Sequence, residues 1–200
     1  MTERAGDRGA QPLRAPQQDR PGESGGREVP SLKVEGTGCV PARTTNVIVA
    51  GLGGQGVIKA SDILADVAFR AGKDVKKAEV HGMSQRGGSV TSDVRFGDHV
   101  ESPMIPPGEA DYLLVLEPSE VEVTRPLLSK TGVLIPPDLV DERSLPNRKS
   151  LNVALLGALS RHLDLPEALW LEAVKAALPE RLHQVNEKAF RIGRERAVRP

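Results

Sequence analysis

The chain has 200 residues, of which 38% are hydrophobic, which suits one packed domain with a terminal extension. Its 27 basic and 27 acidic residues cancel, and 2% aromatic content leaves little to stack on bases, so no nucleic-acid partner is expected. The sequence contains no apolar run near the roughly 20 residues that span a bilayer and no signal-peptide core, which predicts a cytoplasmic protein without a membrane partner.

Cys39 is the single cysteine of the sequence. One thiol cannot form an intramolecular disulfide or supply the four thiolates of an iron–sulfur cluster or a structural zinc site. Because its neighbours offer no organised positive charge, we do not expect a catalytic nucleophile at this position. The histidines and carboxylates show no metal-ligand spacing, so no metal site is predicted.

Residues 1–43 are rich in glycine, proline, glutamine and charged residues, with almost no periodic apolar content. Such a segment buries too little apolar surface to offset its ordering entropy, which predicts a disordered tail. A single folded domain is expected over residues 44–200.

The first half of this domain predicts three strands and one helix. Val47–Ala50 is a continuous apolar run, typical of a strand buried on both faces. After a glycine-rich turn, apolar residues recur every three or four positions from Val57 to Ala71, which predicts a helix with one apolar stripe. Further strands are predicted over 74–80 and 89–96, the second with alternating apolar and polar residues.

The second half begins with a predicted hairpin and ends in helices. The Gly97-Asp98 turn would return through residues 99–102 to give an antiparallel pair. Residues 112–116 and 133–135 are apolar runs typical of buried strands, with a short helix between them over 120–128. Apolar spacing then predicts a helix with one apolar stripe over 151–159 and further helices over 166–178 and 183–196. Together these elements predict a three-layer α/β/α domain with a mixed, largely parallel Rossmann-like sheet and a helical C-terminal part.

The glycine-rich turn after the first strand has the spacing of a dinucleotide-binding fingerprint. The residues predicted to contact a cofactor are Gly51, Gly53, Gly54, Gln55 and Gly56. Bare N–H groups and the positive end of the helix dipole can hold a phosphate there. The turn is not a Walker A loop, because Val57-Ile58 occupy the Lys and Ser/Thr positions. A dinucleotide site with Glu79 on the ribose, another phosphate ligand or an interface, and a purely structural turn all remain open.

A second glycine-rich loop follows the second predicted strand. Its candidate catalytic residues are Arg86, which can clamp a carboxylate or phosphate, and His81, which can exchange a proton near neutral pH. Residues predicted to contact substrate or a partner chain are Gln85, Gly87, Gly88 and Ser89. Carboxyl ends of parallel strands meet at one sheet edge, so the two loops are expected to form one site for an anionic ligand. An ordered loop whose polar groups satisfy one another or a partner is the alternative.

Eight ordered motifs across residues 46–195 resemble the gamma-type domain of 2-oxoacid:ferredoxin oxidoreductases. In chain order they are GLGGQG at 51–56, EVHGMSQRGGSV at 79–90, RFG at 95–97, SPMIP at 102–106, GEAD at 108–111, LEP at 116–118, NVALLGAL at 152–159 and NEKAF at 186–190. Within this family, the small (beta) subunits of the indolepyruvate:ferredoxin oxidoreductases are the most similar.

The resemblance implies a subunit of an enzyme that decarboxylates an arylpyruvate or another 2-oxoacid on thiamine diphosphate. Electrons would pass through [4Fe-4S] clusters to ferredoxin, and the acyl group would leave on coenzyme A as co-substrate. With one cysteine and no Gly-Asp-Gly followed by Asn-Asn for thiamine diphosphate, this chain alone is expected to bind no cofactor. The resemblance places these groups on a large alpha subunit and the two loops at the subunit interface. An independent NAD(P)- or FAD-binding Rossmann protein and a ligand-free assembly subunit are the alternatives.

Overall fold

A computed structural model describes residues 44–82 and 87–197. The predicted tail over 1–43, including Cys39, lies outside the described residues, as do Gln85 and Arg86 of the second loop.

Five strands form one mixed sheet in the order β2-β3-β1-β4-β5. The strands are β1 Thr45–Leu52, β2 Asp74–His81, β3 Ser89–Gly97, β4 Ala110–Val115 and β5 Leu128–Ile135. β1 pairs in parallel with β4 and β4 with β5, whereas β3 is antiparallel to both β1 and β2. The carboxyl ends of four strands and the start of β3 therefore lie at the same edge of the sheet.

Helices and a long loop cover the two faces of this sheet. The α-helices are α1 Val57–Arg70, α2 Pro118–Thr124, α3 Leu151–Leu159, α4 Glu167–Ala177 and α5 His183–Arg196. One face shares the main core with α1, α3, α4 and α5, around Leu64, Leu155 and Trp170. A smaller cluster that includes Ile48 and Leu113 packs under α2 on the other face. The predicted three-layer α/β/α architecture is confirmed.

The predicted hairpin over 97–102 is wrong. The chain does turn at Gly97, but both sides of β3 are already paired, with β1 and with β2, which leaves no place for a return strand. Residues 98–109 instead cross the second face of the sheet. There the carboxylate of Asp93 accepts a hydrogen bond from Ile105 N at 2.9 Å, and Arg95 donates to the carbonyls of Ser102 and Met104.

α3 is buried on every side rather than along one apolar stripe, because α5 crosses it at very short range. A Cβ atom on Gly157 would lie 2.0 Å from Phe190 O, and one on Gly193 would lie 1.7 Å from Ala154 O. The two glycines thus allow the helix backbones to touch, which fixes the position of α3 beside the first loop. No helix within the described part of the chain is long and apolar enough to cross a membrane.

Candidate functional site

The two glycine-rich loops meet at the carboxyl edge of the sheet. Gly53 N donates to Gly88 O at 2.9 Å, and Gly82 N donates to Ser89 O at 2.7 Å. The first bond joins the two loops, and the second closes the base of the second loop between β2 and β3. The predicted convergence of the loops at one edge is therefore what the structure shows.

The first loop leads into α1 through a left-handed residue. Gly56 has a φ of 86° at the N-cap position, and its carbonyl accepts a hydrogen bond from Asn152 Nδ2 at 3.3 Å. A Cβ atom at Gly56 would lie 2.5 Å from the same nitrogen. Among the described residues no side chain caps α1, and its first turn carries no acidic residue. The positive end of the helix dipole is therefore available to an anion.

Gln55 braces the first loop through both heteroatoms of its side-chain amide. Its Oε1 accepts from Leu52 N at 2.8 Å, and its Nε2 donates to Glu117 Oε2 at 2.7 Å. Gly51 is buried inside β1, whereas Gly53 and Gly54 are exposed. The exposed backbone of Gly53 and Gly54 is thus the part of the fingerprint that a ligand can reach, and the Gln55 amide fixes its shape.

A cleft of about 1070 Å³ opens beside the first loop, between α2 and the connection from β5 to α3. Chain connections leave β1 toward β2 and β4 toward β5, so the strand order reverses between β1 and β4. Ligands of open α/β sheets bind at such a reversal point, outside the carboxyl ends of the strands. The cleft is lined by the basic residues Lys59, Arg143, Arg148 and Lys149, and by the acidic residues Glu117, Asp138, Asp141 and Glu142.

The basic residues of the β5–α3 connection are held by two Asx turns. Asp141 Oδ1 accepts from Arg143 N at 2.9 Å, and Asn147 Oδ1 accepts from Lys149 N at 2.9 Å. Sequence reasoning missed this wall of the cleft. The signals that could have revealed it are the Asp-x-Arg and Asn-x-Lys triplets, because Asp and Asn side chains commonly bond the backbone two residues on.

The second loop contributes His81, which lies on the exposed end of β2. Its Nε2 lies 3.3 Å from Glu79 Oε2, and Lys77 Nζ lies 2.7 Å from the other Glu79 oxygen. The hydrogen bond from Lys77 holds the pKa of Glu79 below its ordinary value. His81 is 53% exposed, so its ring is open to a partner or ligand. Its catalytic role stays a prediction.

The position of Glu79 argues against a dinucleotide site. In a Rossmann fold, the ribose-binding acid follows the strand next to the first strand. Here β3 lies between β1 and β2, which moves Glu79 away from the first loop by two strand spacings, about 10 Å. Its carboxylate is also engaged by Lys77. The glycine spacing is therefore present without the partner that a dinucleotide needs.

Ser89 points toward α2. Its Oγ donates to Glu120 Oε2 at 2.7 Å, and Glu120 is only 7% exposed. Gly87 is exposed and Gly88 half-buried next to the first loop. Within residues 44–82 and 87–197, no group of three His, Cys, Asp or Glu side chains is arranged to hold a metal ion.

Comparison with known proteins identifies the family. The model of the family described as pyruvate ferredoxin/flavodoxin oxidoreductase matches residues 46–146. The chain belongs to this family. Its relatives in the family include Indolepyruvate oxidoreductase subunit IorB of Thermococcus kodakarensis, 34% identical over 74% of this chain and 93% of that protein. The 2-oxoglutarate synthase subunit KorC of Archaeoglobus fulgidus is 32% identical over 76% of this chain and 88% of its own length.

Solved oxidoreductase subunits share the fold. The gamma subunit of a keto/oxoacid ferredoxin oxidoreductase from Geobacter sulfurreducens aligns with a TM-score of 0.66 at 24% identity, over 78% of this chain and 97% of that subunit. Pyruvate oxidoreductase subunit PORC from Thermotoga maritima aligns with a TM-score of 0.55 at 25% identity, over 76% of this chain and 96% of that subunit. The prediction of a non-autonomous oxidoreductase subunit is confirmed, and the independent Rossmann protein is not supported.

Proposed function

We propose that this chain is the small subunit of an indolepyruvate:ferredoxin oxidoreductase that acts on arylpyruvates or a related 2-oxoacid. The observation that carries the proposal is the extent of the likeness to subunit IorB, which covers 93% of that protein at 34% identity. The 2-oxoglutarate synthase subunit is also similar, at 32% identity over 88% of its length. The proposed substrates therefore include other 2-oxoacids besides arylpyruvates.

The residues of this chain do not fit thiamine diphosphate or an iron–sulfur cluster. A [4Fe-4S] cluster needs four thiolates, whereas the sequence holds one cysteine. In our proposal these cofactors belong to a large alpha subunit, with ferredoxin as the electron acceptor of the cytoplasmic complex. The bond-making chemistry then belongs to those cofactors, and this chain binds and orients a substrate.

Coenzyme A is the proposed ligand of the cleft, because its phosphate groups can pair with the four basic residues of the lining, called here the basic wall. Lys59 lies in the first turn of α1, and Arg143, Arg148 and Lys149 lie on the facing connection. The open end of α1 adds an attraction of about 0.3–1 kcal/mol for a negative charge. His81 and Arg86 of the second loop are the proposed contacts for the carboxylate or carbonyl of the 2-oxoacid.

The test reconstitutes the complex from this chain and its large subunit. We expect arylpyruvate-dependent dye reduction to require both subunits and to saturate with coenzyme A. An equal rate without this chain would contradict the proposal. Saturable binding of NAD(P) or FAD to the isolated chain would favour an independent nucleotide-binding protein. An unchanged KM for coenzyme A after removal of the basic wall would indicate an assembly role alone.

A further inference from the structure

We propose that Glu117 and Glu120 are positioning residues that hold the two glycine-rich loops in register for the acyl acceptor. This inference rests on the proposed function, because it concerns the same site. The two carboxylates, called here the α2 pair, lie at the start of α2, and each accepts a hydrogen bond from a different loop. Glu117 accepts from Gln55 Nε2 and Glu120 accepts from Ser89 Oγ, both at 2.7 Å.

The α2 pair is rigid because its two members share the first turn of the helix. Glu120 N donates to Glu117 O at 3.0 Å, and Pro118 occupies the first helical position, where its fixed φ favours the helix. Thr124 Oγ1 donates to Glu120 O at 2.7 Å and holds the next turn. The backbone positions of Glu117 and Glu120 are therefore fixed relative to each other.

The contacts close into a ring. From Glu117 the ring passes through Gln55 to the first loop, whose Gly53 N donates to Gly88 O in the second loop at 2.9 Å. It returns from Ser89, next to Gly88, to Glu120. Three hydrogen bonds of this ring join parts that are far apart in sequence, and each loop is held both by the other loop and by α2. Loss of one bond to α2 therefore weakens the support of both loops.

Burial shows that Glu120 depends on its partner. Glu120 is 7% exposed, and burying a carboxylate costs free energy unless hydrogen-bond donors satisfy it. Glu117 differs, because it lines the cleft that is proposed to hold an anion. A negative charge there opposes the ligand, so the useful property of Glu117 is its accepting oxygen rather than its charge.

The test uses alanine and glutamine variants of the α2 pair in the complex with the large subunit. We expect Glu117→Ala or Glu120→Ala to raise the KM for coenzyme A about tenfold, because each removes a hydrogen bond that holds one of the loops. We expect kcat to change less than about twofold, since neither residue contacts the reacting atoms. Glu117→Gln and Glu120→Gln keep an accepting oxygen. Glu120→Gln should keep the wild-type KM, and Glu117→Gln, which also loses the opposing charge, should match or lower it. Glu122→Ala is the matched control, because Glu122 lies on the same helix, is 79% exposed and pairs with Arg125.

Amide hydrogen exchange of the full-length chain gives a second measurement that does not need activity. Either alanine variant should speed exchange over both 51–56 and 87–89, while Glu122→Ala should leave both unchanged. Ser89→Ala in the Glu120→Gln background removes the same link without leaving an unpaired buried carboxylate, and it should reproduce the exchange effect if Glu120→Ala does not fold.

Three results would overturn the inference: an unchanged KM in the alanine variants, glutamine variants as impaired as alanine variants, or faster exchange in only one loop. If the wild-type complex shows no dependence on coenzyme A, the proposed function fails. The exchange experiment still decides whether the α2 pair holds both loops.

Discussion

Replacing Gly56 by alanine tests whether the turn into α1 requires glycine for two separate reasons. The φ of 86° costs an L-residue about 1–2 kcal/mol. The new Cβ atom would also lie 2.5 Å from Asn152 Nδ2, which must move and lose its bond to Gly56 O, a further cost of about 1 kcal/mol. We therefore expect the free energy of unfolding to fall by about 2–3 kcal/mol.

Gly54→Ala is the matched control, because Gly54 has a φ of 96° but nothing lies within 4 Å of its added Cβ atom. It should cost the backbone strain alone, about 1–2 kcal/mol. The assay is urea denaturation of each variant alone and with Asn152→Ala, which removes the contacted amide. The cost of Gly56→Ala should be smaller in the Asn152→Ala background. Equal costs at the two glycines, or no relief from Asn152→Ala, would refute the reasoning.

Three further predictions follow from charge and packing. Lys149→Ala should raise the KM for coenzyme A about threefold at low salt and by less at high salt. Lys130 is exposed and does not line the cleft, so Lys130→Ala should leave this KM unchanged. Burial raises the pKa of Asp93 above its ordinary value of 3.8. The neutral acid therefore contributes to the free energy of unfolding below pH 3.8, and this contribution is lost as the pH rises through the raised pKa. Denaturation across this window should show that slope in the wild type, and Asp93→Asn should remove it. Gly193→Ala would place a Cβ atom 1.7 Å from Ala154 O and should lower the free energy of unfolding by about 3 kcal/mol or more, measured by thermal denaturation.

The sequence predicted the structure correctly where that structure depends on residues that are close together along the chain. The apolar run of β1, the glycines after it and the stripe of α1 are local signals, and all three were predicted correctly. The family motifs also predicted the correct protein family. The hairpin at Gly97 failed because the pairing of β3 depends on β1 and β2, which no local turn signal reports.

The sequence predicted only part of the candidate site, for the same physical reason. Gln55, Ser89 and Glu117 each lie in a motif, but the partners Glu117 and Glu120 come 62 and 31 residues after Gln55 and Ser89, and no motif shows these pairings. The basic wall around Arg148 has no periodicity, and it becomes part of a site only when the β5–α3 connection passes the reversal point of the sheet. Spacing along the chain cannot show such convergence.

The bond between Asn152 and Gly56 O spans 96 residues, and it has a consequence for synthesis on the ribosome. All five strands and both glycine-rich loops are complete by Ile135, yet α3, which carries Asn152, begins only at Leu151. A nascent chain whose five strands have all left the ribosome therefore still lacks the helix that forms one wall of the cleft. Premature termination between these points would give a chain that contains both loops but lacks Asn152 and the helices that cover the main core.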